Sequence, residues 1–297
     1  MKNKLFFIIP LLIPSACAGD SISASSSEQK HYDKHAHVIL LSGQSNAVGY
    51  SKSVYVLEKM GDEQYAKYNN GPNNTLINYY IVESDNRSMG NNFTKVQFGF
   101  GLGGDSFGPE IGMASVFGQH PDEKYYIIKF AKGGSSLSDD WLAESGQAPL
   151  YTLFVAFVKQ KMDYLREKYP TTEFNIDSLC WMQGETDATG YNSAQNYKNN
   201  LVTFMNNLKN DLADYGGNNM VIIDAGISQV WSYYQTVNEA KENAGSLIDN
   251  YHYFSTIDMG LEVNKEPAGI PDSAHYDSAS MIELGKKLAT ESLKYFK

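Results

Sequence analysis

The sequence predicts an α/β protein, a three-layer α/β/α sandwich built on a mostly parallel sheet of about five strands. Apolar, strand-like runs alternate with helix-like runs along the chain, which is the pattern of a parallel sheet covered by helices on both faces. Glycine-bearing turns follow several of those runs, at the carboxyl ends where α/β proteins place their chemistry. The 297 residues, 42% hydrophobic and 20% charged, suit one large domain with a sizeable core.

The strand-like runs are residues 37–42, 76–83, 125–131, 176–182, 220–225 and 251–257. The first, HVILLS, is continuously apolar and stops at Gly43, so it reads as a buried strand. The helix-like runs are 110–118, 150–169, 191–215, 236–250 and 278–296. In the second, Leu153, Phe154, Phe157, Val158 and Met162 keep a helical apolar stripe. Residues 69–104 are rich in Asn and Gly and read as an excursion near the site or over it. Asn73, Asn86 and Asn92 there begin Asn-x-Ser/Thr sequons, which matter only in a host that glycosylates exported proteins.

Ahead of the domain, Lys2 and Lys4 form a positive n-region, residues 5–13 an apolar h-region too short to span a bilayer, and Ala16-Cys17-Ala18 a small-residue cleavage site. Residues 1–18 therefore read as a signal peptide and the protein as exported, with no transmembrane segment in the mature chain. Cys17 offers a second reading, a lipid anchor, although Pro14 stands where lipoprotein signals favour leucine. Residues 19–35 are a Ser-rich linker and 36–297 the folded domain. The net charge of -10 argues against nucleic acid as a partner, since phosphate binding needs clustered Lys and Arg. Cys180 lies in a strand-like run and reads as a small buried hydrophobe.

Four short blocks carry the candidate chemistry, each at a strand end. Gly43-Gln44-Ser45-Asn46 puts a serine where a strand gives way to a helix. A serine there is also a common helix N-cap. A serine hydroxyl needs a base, and the base a third group to orient it. His31 and His35 fall in the linker, His37 and His252 begin strands, and His120 sits in a turn before Pro121. His275 alone lies between a strand and the last helix with a carboxylate nearby. That carboxylate is Asp272 or Asp277, the first also readable as a turn residue and the second as an N-cap. Gly133-Gly134-Ser135 lets a backbone N–H approach a substrate oxygen, or is an ordinary turn. Gln183-Gly184-Glu185-Thr186-Asp187 brings an amide donor and two acids that also suit a helix start. No His/Cys/Asp group has zinc spacing, and no metal or cofactor is expected. Gly99-Phe-Gly-Leu-Gly-Gly104 matches a dinucleotide-loop pattern but lacks the strand before it and the acid after it.

Taken together, the four blocks resemble those of the SGNH hydrolases, and most closely the branch of sialate O-acetylesterase-like proteins and family 6 acetylxylan esterases. Phe107-Gly108-Pro109-Glu110 matches that branch's Gly-Pro-Glu segment, and the resemblance runs in order from about residue 37 to the end. Ala47 departs from the Met often found there, and Gln183 holds the place of the wider superfamily's Asn. The resemblance implies a flavodoxin-like fold and a serine esterase that removes O-acetyl groups from carbohydrates. It implies Ser45 as nucleophile, His275 as base, Asp272 as orienter, and an oxyanion hole from the Ser45 N–H, a Gly133 or Gly134 N–H and the Gln183 amide. Candidate substrate contacts are Gln44, Gly134, Glu185, Trp141 and Trp231; aromatic faces at Trp141, Trp231, Tyr233 and Tyr234 would stack on sugar rings and favour acetylxylan. The other readings are a sialate O-acetylesterase, a lipase or thioesterase, and a carbohydrate-binding protein without turnover.

Overall fold

The strand β1 (Lys34–Gly43) is buried along almost its whole length, because it runs through the middle of the sheet with partners on both sides. The computed structural model describes residues 32, 34–142, 149–263 and 265–296; the leader, most of the linker and Cys17 lie outside them. After β1 come α1 (Ser45–Val48), β2 (Ser51–Lys52), α2 (Ser53–Asn70), β3 (Thr75–Val82), β4 (Arg87–Ser88), β5 (Thr94–Lys95), β6 (Ser106–Phe107), α3 (Glu110–Phe117) and β7 (Tyr125–Lys132). The second half holds α4 (Pro149–Lys168), β8 (Thr172–Met182), α5 (Tyr191–Asp211), β9 (Val221–Ala225), α6 (Tyr234–Ala244), β10 (Tyr251–Phe254) and α7 (Ser278–Leu293).

The main sheet runs β10-β9-β8-β1-β7-β3, all parallel, with the short β4 and β5 antiparallel on the outer side of β3. The three-layer expectation holds, but the sheet has six parallel strands rather than five. Counted along the chain these lie in the order 2-3-1-4-5-6, which differs from the flavodoxin-like 2-1-3-4-5. Alternation along β8 shows the layers. Cys180 reaches Ser292 of α7 on one face at 3.5 Å, and Trp181 packs on Phe204 of α5 on the other, ring centres 4.8 Å apart.

The connection from β1 leads to β3 on one side of it, while that from β8 leads to β9 on the other. The crevice between their carboxyl ends is therefore a topological switch point, the usual place for a site in an open α/β sheet. β1 begins at Lys34, so His35, placed in the linker by sequence, is a strand residue. The helix α2 was invisible to periodicity because only Ser53, Val56 and Tyr68 along it are buried, too few for an apolar stripe. The Asn/Gly-rich excursion resolves into the edge strands β3, β4 and β5 and the loop that follows them.

Gly43 closes β1 with φ +140°, and a Cβ built there would lie 1.9 Å from the Met182 carbonyl oxygen. The backbones of β1 and β8 touch at this point, which leaves room for no side chain. Gly43→Ala is expected to lower the unfolding free energy by at least about 3 kcal/mol, through overlap and backbone strain together. Chemical denaturation measures it, and a loss under about 1 kcal/mol would contradict the close approach.

Candidate active site

Gln44 turns the chain between β1 and the short α1, and Ser45 is the first residue of that helix, 7% exposed. Its N–H belongs to the donors at a helix start that have no partner within the helix. On the same rim, His275 Nδ1 and Asp272 Oδ2 are 2.5 Å apart. Asp272 also accepts the Ala274 N–H at 2.8 Å. Partial burial would raise the Asp272 carboxyl, but the hydrogen bonds from His275 and the Ala274 N–H outweigh it and hold the group below its ordinary value. Asp277 does not touch His275: its carboxylate accepts the N–H groups of Lys265 and Glu266 at 3.2 and 3.1 Å. Although it stands at the N-cap position of α7, it makes no side-chain cap bond.

Asn46 joins the blocks. Its Nδ2 donates to Glu185 Oε1 at 2.7 Å, and its Oδ1 accepts the Tyr276 N–H at 3.1 Å. One amide thus holds the residue after Ser45, the loop after β8 and the residue after His275. No hydrogen bond links Ser45 Oγ to His275 among the described residues, a contact that often tightens only when substrate is bound. Tyr50 lies flat on the His275 imidazole, ring centres 4.0 Å apart and planes 14° from parallel. Burial, with Glu83 and Asp272 adding negative charge nearby, pushes the Tyr50 phenol above its usual value, so it stays neutral. A cleft of about 220 Å³ opens beside His275 and Asp272, walled by Tyr50, Tyr55, Leu102 and Pro267.

Gly133 follows β7 with its N–H 3.3 Å from Glu83 Oε1. A Cβ built on Gly133 would meet Glu83 Oε1 at 2.8 Å and the Tyr50 hydroxyl at 2.9 Å, so this loop, Glu83 and the Tyr50–His275 stack are neighbours. Sequence reasoning missed Tyr50 and Glu83: neither lies in a motif, and each is brought to the site by a loop. Gly134 is exposed beside Gly133, in left-handed backbone at φ +63°.

Several expected roles change. Gln183 is fully buried; its Nε2 donates to Asp187 Oδ2 at 2.6 Å and lies 3.2 Å from the Ser135 carbonyl, while Tyr197 donates to its Oε1 at 2.9 Å. Its amide is engaged with protein groups, so it positions loops here rather than facing an open oxyanion site. Gln44 is also buried, its Oε1 accepting the N–H groups of Thr186 and Gly184 at 3.2 and 3.4 Å. Glu185 is fully buried against Asn46, and burial raises its carboxyl. Trp141 is fully buried, its indole N–H bonded to Ser135 Oγ at 2.9 Å and its ring among Phe130, Phe154, Trp181 and Phe204. All four side chains are buried within the protein. Trp231 is half-buried against the core with its indole nitrogen enclosed. Arg87 donates to the carbonyls of Gly99 and Gly101, and Leu102 N–H to Gly49 O at 2.9 Å, which braces the turn behind Ser45.

Buried amides thus lie beneath a partly buried His–Asp pair at the switch point of a mostly parallel sheet, in an α/β/α fold of the SGNH kind. Residues 35–294 match the family model described as carbohydrate esterase, sialic acid-specific acetylesterase, and the chain belongs to that family. Membership supports an esterase acting on O-acetylated carbohydrate. Among solved structures, the chain is similar to an Arabidopsis thaliana protein, with TM-score 0.61 and 21% identity over 88% of this chain and 99% of that one. It is also similar to a carbohydrate acetylesterase from Xanthomonas citri, with TM-score 0.55 and 15% identity over 87% of this chain and 56% of that one. No curated protein sequence matches the chain. Among the described residues, no helix is long and apolar enough to cross a membrane.

Asn46→Ala would leave the buried Glu185 carboxylate and the Tyr276 N–H unpaired. The expected loss is about 2–4 kcal/mol of stability, measured by denaturant unfolding. A loss below about 0.5 kcal/mol would mean that the bridge does not hold the blocks together.

Proposed function

We propose that the protein is a serine esterase that removes O-acetyl groups from carbohydrates, with Ser45 as nucleophile, His275 as general base and Asp272 as its orienter. The observation that carries the reading is the Asp272–His275 pair, held on the rim of Ser45 by the Asn46–Tyr276 bond. Ser45 Oγ attacks the acetyl carbonyl while its proton passes to His275 Nε2, and Asp272 stabilises the imidazolium through Nδ1. The tetrahedral oxyanion takes the N–H groups of Ser45 and Gly133. The C–O bond to the sugar then breaks, and His275 returns the proton to the leaving alkoxide. Water repeats the sequence on the acyl-enzyme and releases acetate and free Ser45. The 220 Å³ cleft beside His275, with its tyrosine walls, suits a sugar ring. Stacking by Trp141, Trp231, Tyr233 and Tyr234 is the feature that would put acetylxylan ahead of other substrates; with Trp141 in the core and the other three partly buried against it, O-acetyl sialic acid stands beside acetylxylan, since the family's description is sialic acid-specific.

Ser45→Ala is expected to lower kcat by about 10⁶ with an unchanged melting temperature, and Asp272→Asn by about 10⁴. Acetate release from O-acetyl sialic acid, acetylxylan and acetylated monosaccharides, with p-nitrophenyl octanoate as comparison, measures both. A Ser45→Ala protein with a tenth of wild-type activity, or an Asp277→Asn protein that loses activity where Asp272→Asn does not, would overturn the assignment. Faster cleavage of the octanoate than of every sugar ester would overturn the substrate class.

Glu83 gives a separate test. Its carboxylate accepts the Gly133 N–H that an oxyanion would need, so it has to swing away before the transition state forms. Glu83→Ala is expected to raise kcat/KM about threefold to tenfold, the worth of one competing hydrogen bond. A fall of that size would show instead that Glu83 holds substrate.

A further inference from the structure

At the opposite end of the sheet from Ser45, the first residues of β1 carry an unassigned set of ligating groups. His35 and His37 are two residues apart in a strand, so both imidazoles project from one face of it. The neighbouring strand β8 pairs regularly with β1 except at one point: Val38 lies opposite Ile176 and Ile39 opposite Ser178, so Asp177 is an extra residue, a β-bulge. Bulges re-aim side chains, and this one sends the Asp177 carboxylate to the histidines. Asp177 Oδ2 is 3.1 Å from His37 Nδ1 and 3.9 Å from His35 Nε2. One ligand atom from each of the three residues falls within 4.8 Å of the others.

The far nitrogens of the two rings have carboxylates of their own. His35 Nδ1 is 3.8 Å from Glu173, and His37 Nε2 is 3.6 Å from Glu123. This is the outer arrangement of a metal-bound histidine, in which the second ring nitrogen turns to a carboxylate that fixes the tautomer and strengthens the ligand. Among the described residues, Glu123, Glu173 and Asp177 make ion pairs with these two histidines and with no lysine or arginine. With both imidazoles neutral, three negative charges share the site without a cation. His37 is nearly enclosed and packs against both Tyr125 and Phe296, ring centres 5.4 and 4.6 Å away, which holds its ring in place. His35 is about one-third exposed beside an open cleft of about 510 Å³, which gives an ion a way in.

We infer that His35, His37 and Asp177 form a binding site for a divalent zinc-class cation that fastens the start of β1 to the bulge in β8. Two imidazoles and a carboxylate are a zinc donor set, and tetrahedral ligands at zinc distances sit about 3.3 Å from one another. The 3.1 Å separation already fits, and His35, on the surface, has the shorter journey to make the 3.9 Å one fit. Water or one of the glutamates completes the shell. The site is structural. His37 and Ser45 are eight residues apart along an extended segment, about 26 Å, so the cation takes no part in ester cleavage.

The test uses the full chain without an affinity tag, stripped by chelator and titrated with zinc chloride alone. Calorimetry is expected to give one zinc per chain, and saturating zinc to raise the melting temperature by about 5 °C. His35→Gln and Asp177→Asn, both at partly exposed residues and the second keeping an acceptor for the Val38 N–H, are each expected to weaken binding at least tenfold and to abolish the thermal shift. Esterase activity of the wild type is expected to be the same with and without zinc. His31→Gln, just ahead of the described chain, is expected to keep full binding. No saturable binding, or undiminished binding by His35→Gln and Asp177→Asn, overturns the site. A zinc dependence of kcat overturns its structural role.

Discussion

The site depends on one buried amide, that of Asn46. A rim built from the ends of several strands needs something to hold its loops in register, and among the described residues no disulfide does so. Asn46 does it by offering a donor and an acceptor from one end of one side chain, to Glu185 at 2.7 Å and to the Tyr276 N–H at 3.1 Å. Aspartate could not replace it, because it has no N–H to give and would set a second negative charge against Glu185. Glu185 in turn tolerates full burial through this bond and through Lys241 nearby, although burial still raises its carboxyl. Lys241 is itself fixed to Asp224 of β9 at 2.6 Å. The chain of contacts therefore runs from the residue after Ser45 into the far side of the sheet.

A second buried network does the same for the Gly133 loop. Gln183 donates to Asp187, and Asp187 Oδ2 accepts the Leu137 N–H at 2.8 Å, so the loop after β8 holds the loop after β7. Gln44 joins both to the nucleophile turn. Polar groups in motif blocks are easily read as contacts to substrate. Here most of them are contacts between loops, and their burial is what makes the exposed groups stay where they are.

The sheet strands, most helices and the four blocks were legible in the sequence because each has a local signal: continuous apolar runs, a helical stripe, glycine at a strand end. The amphiphile-poor α2 had no such signal and was not seen. The sixth parallel strand, β10, was visible as a run at 251–257, although the sheet was expected to hold about five strands. The choice of Asp272 over Asp277 needed geometry, since spacing places both near His275. The inward turn of Gln44, Gln183, Glu185 and Trp141 was not legible in the motifs, for one reason. A motif residue's position along the chain says which loop it belongs to, but not whether its side chain points out of the loop or back into it. Trp141 turned inward because the layer between α4, α5 and the sheet is filled with aromatic rings and its indole N–H finds Ser135 there. Tyr50 and Glu83 are the reverse case, residues without a motif that tertiary structure carries to the site.

The two ends of β1 solve the same problem with different chemistry. At its carboxyl end the supports lie beneath Ser45 and combine buried amides with the buried acids Glu185 and Asp187, beside buried ion pairs such as Lys129 with Glu110 and Lys241 with Asp224. At its amino end no substrate has to be admitted, and the groups gathered there are two imidazoles and three carboxylates without a lysine or arginine among the described residues. Such a set repels itself when the rings are neutral. The His37 imidazole and the Val38 N–H each lie on Asp177 Oδ2, at 3.1 and 3.3 Å, and a cation between the two rings would balance the charge that these neutral contacts leave, at the point where the bulge aims Asp177.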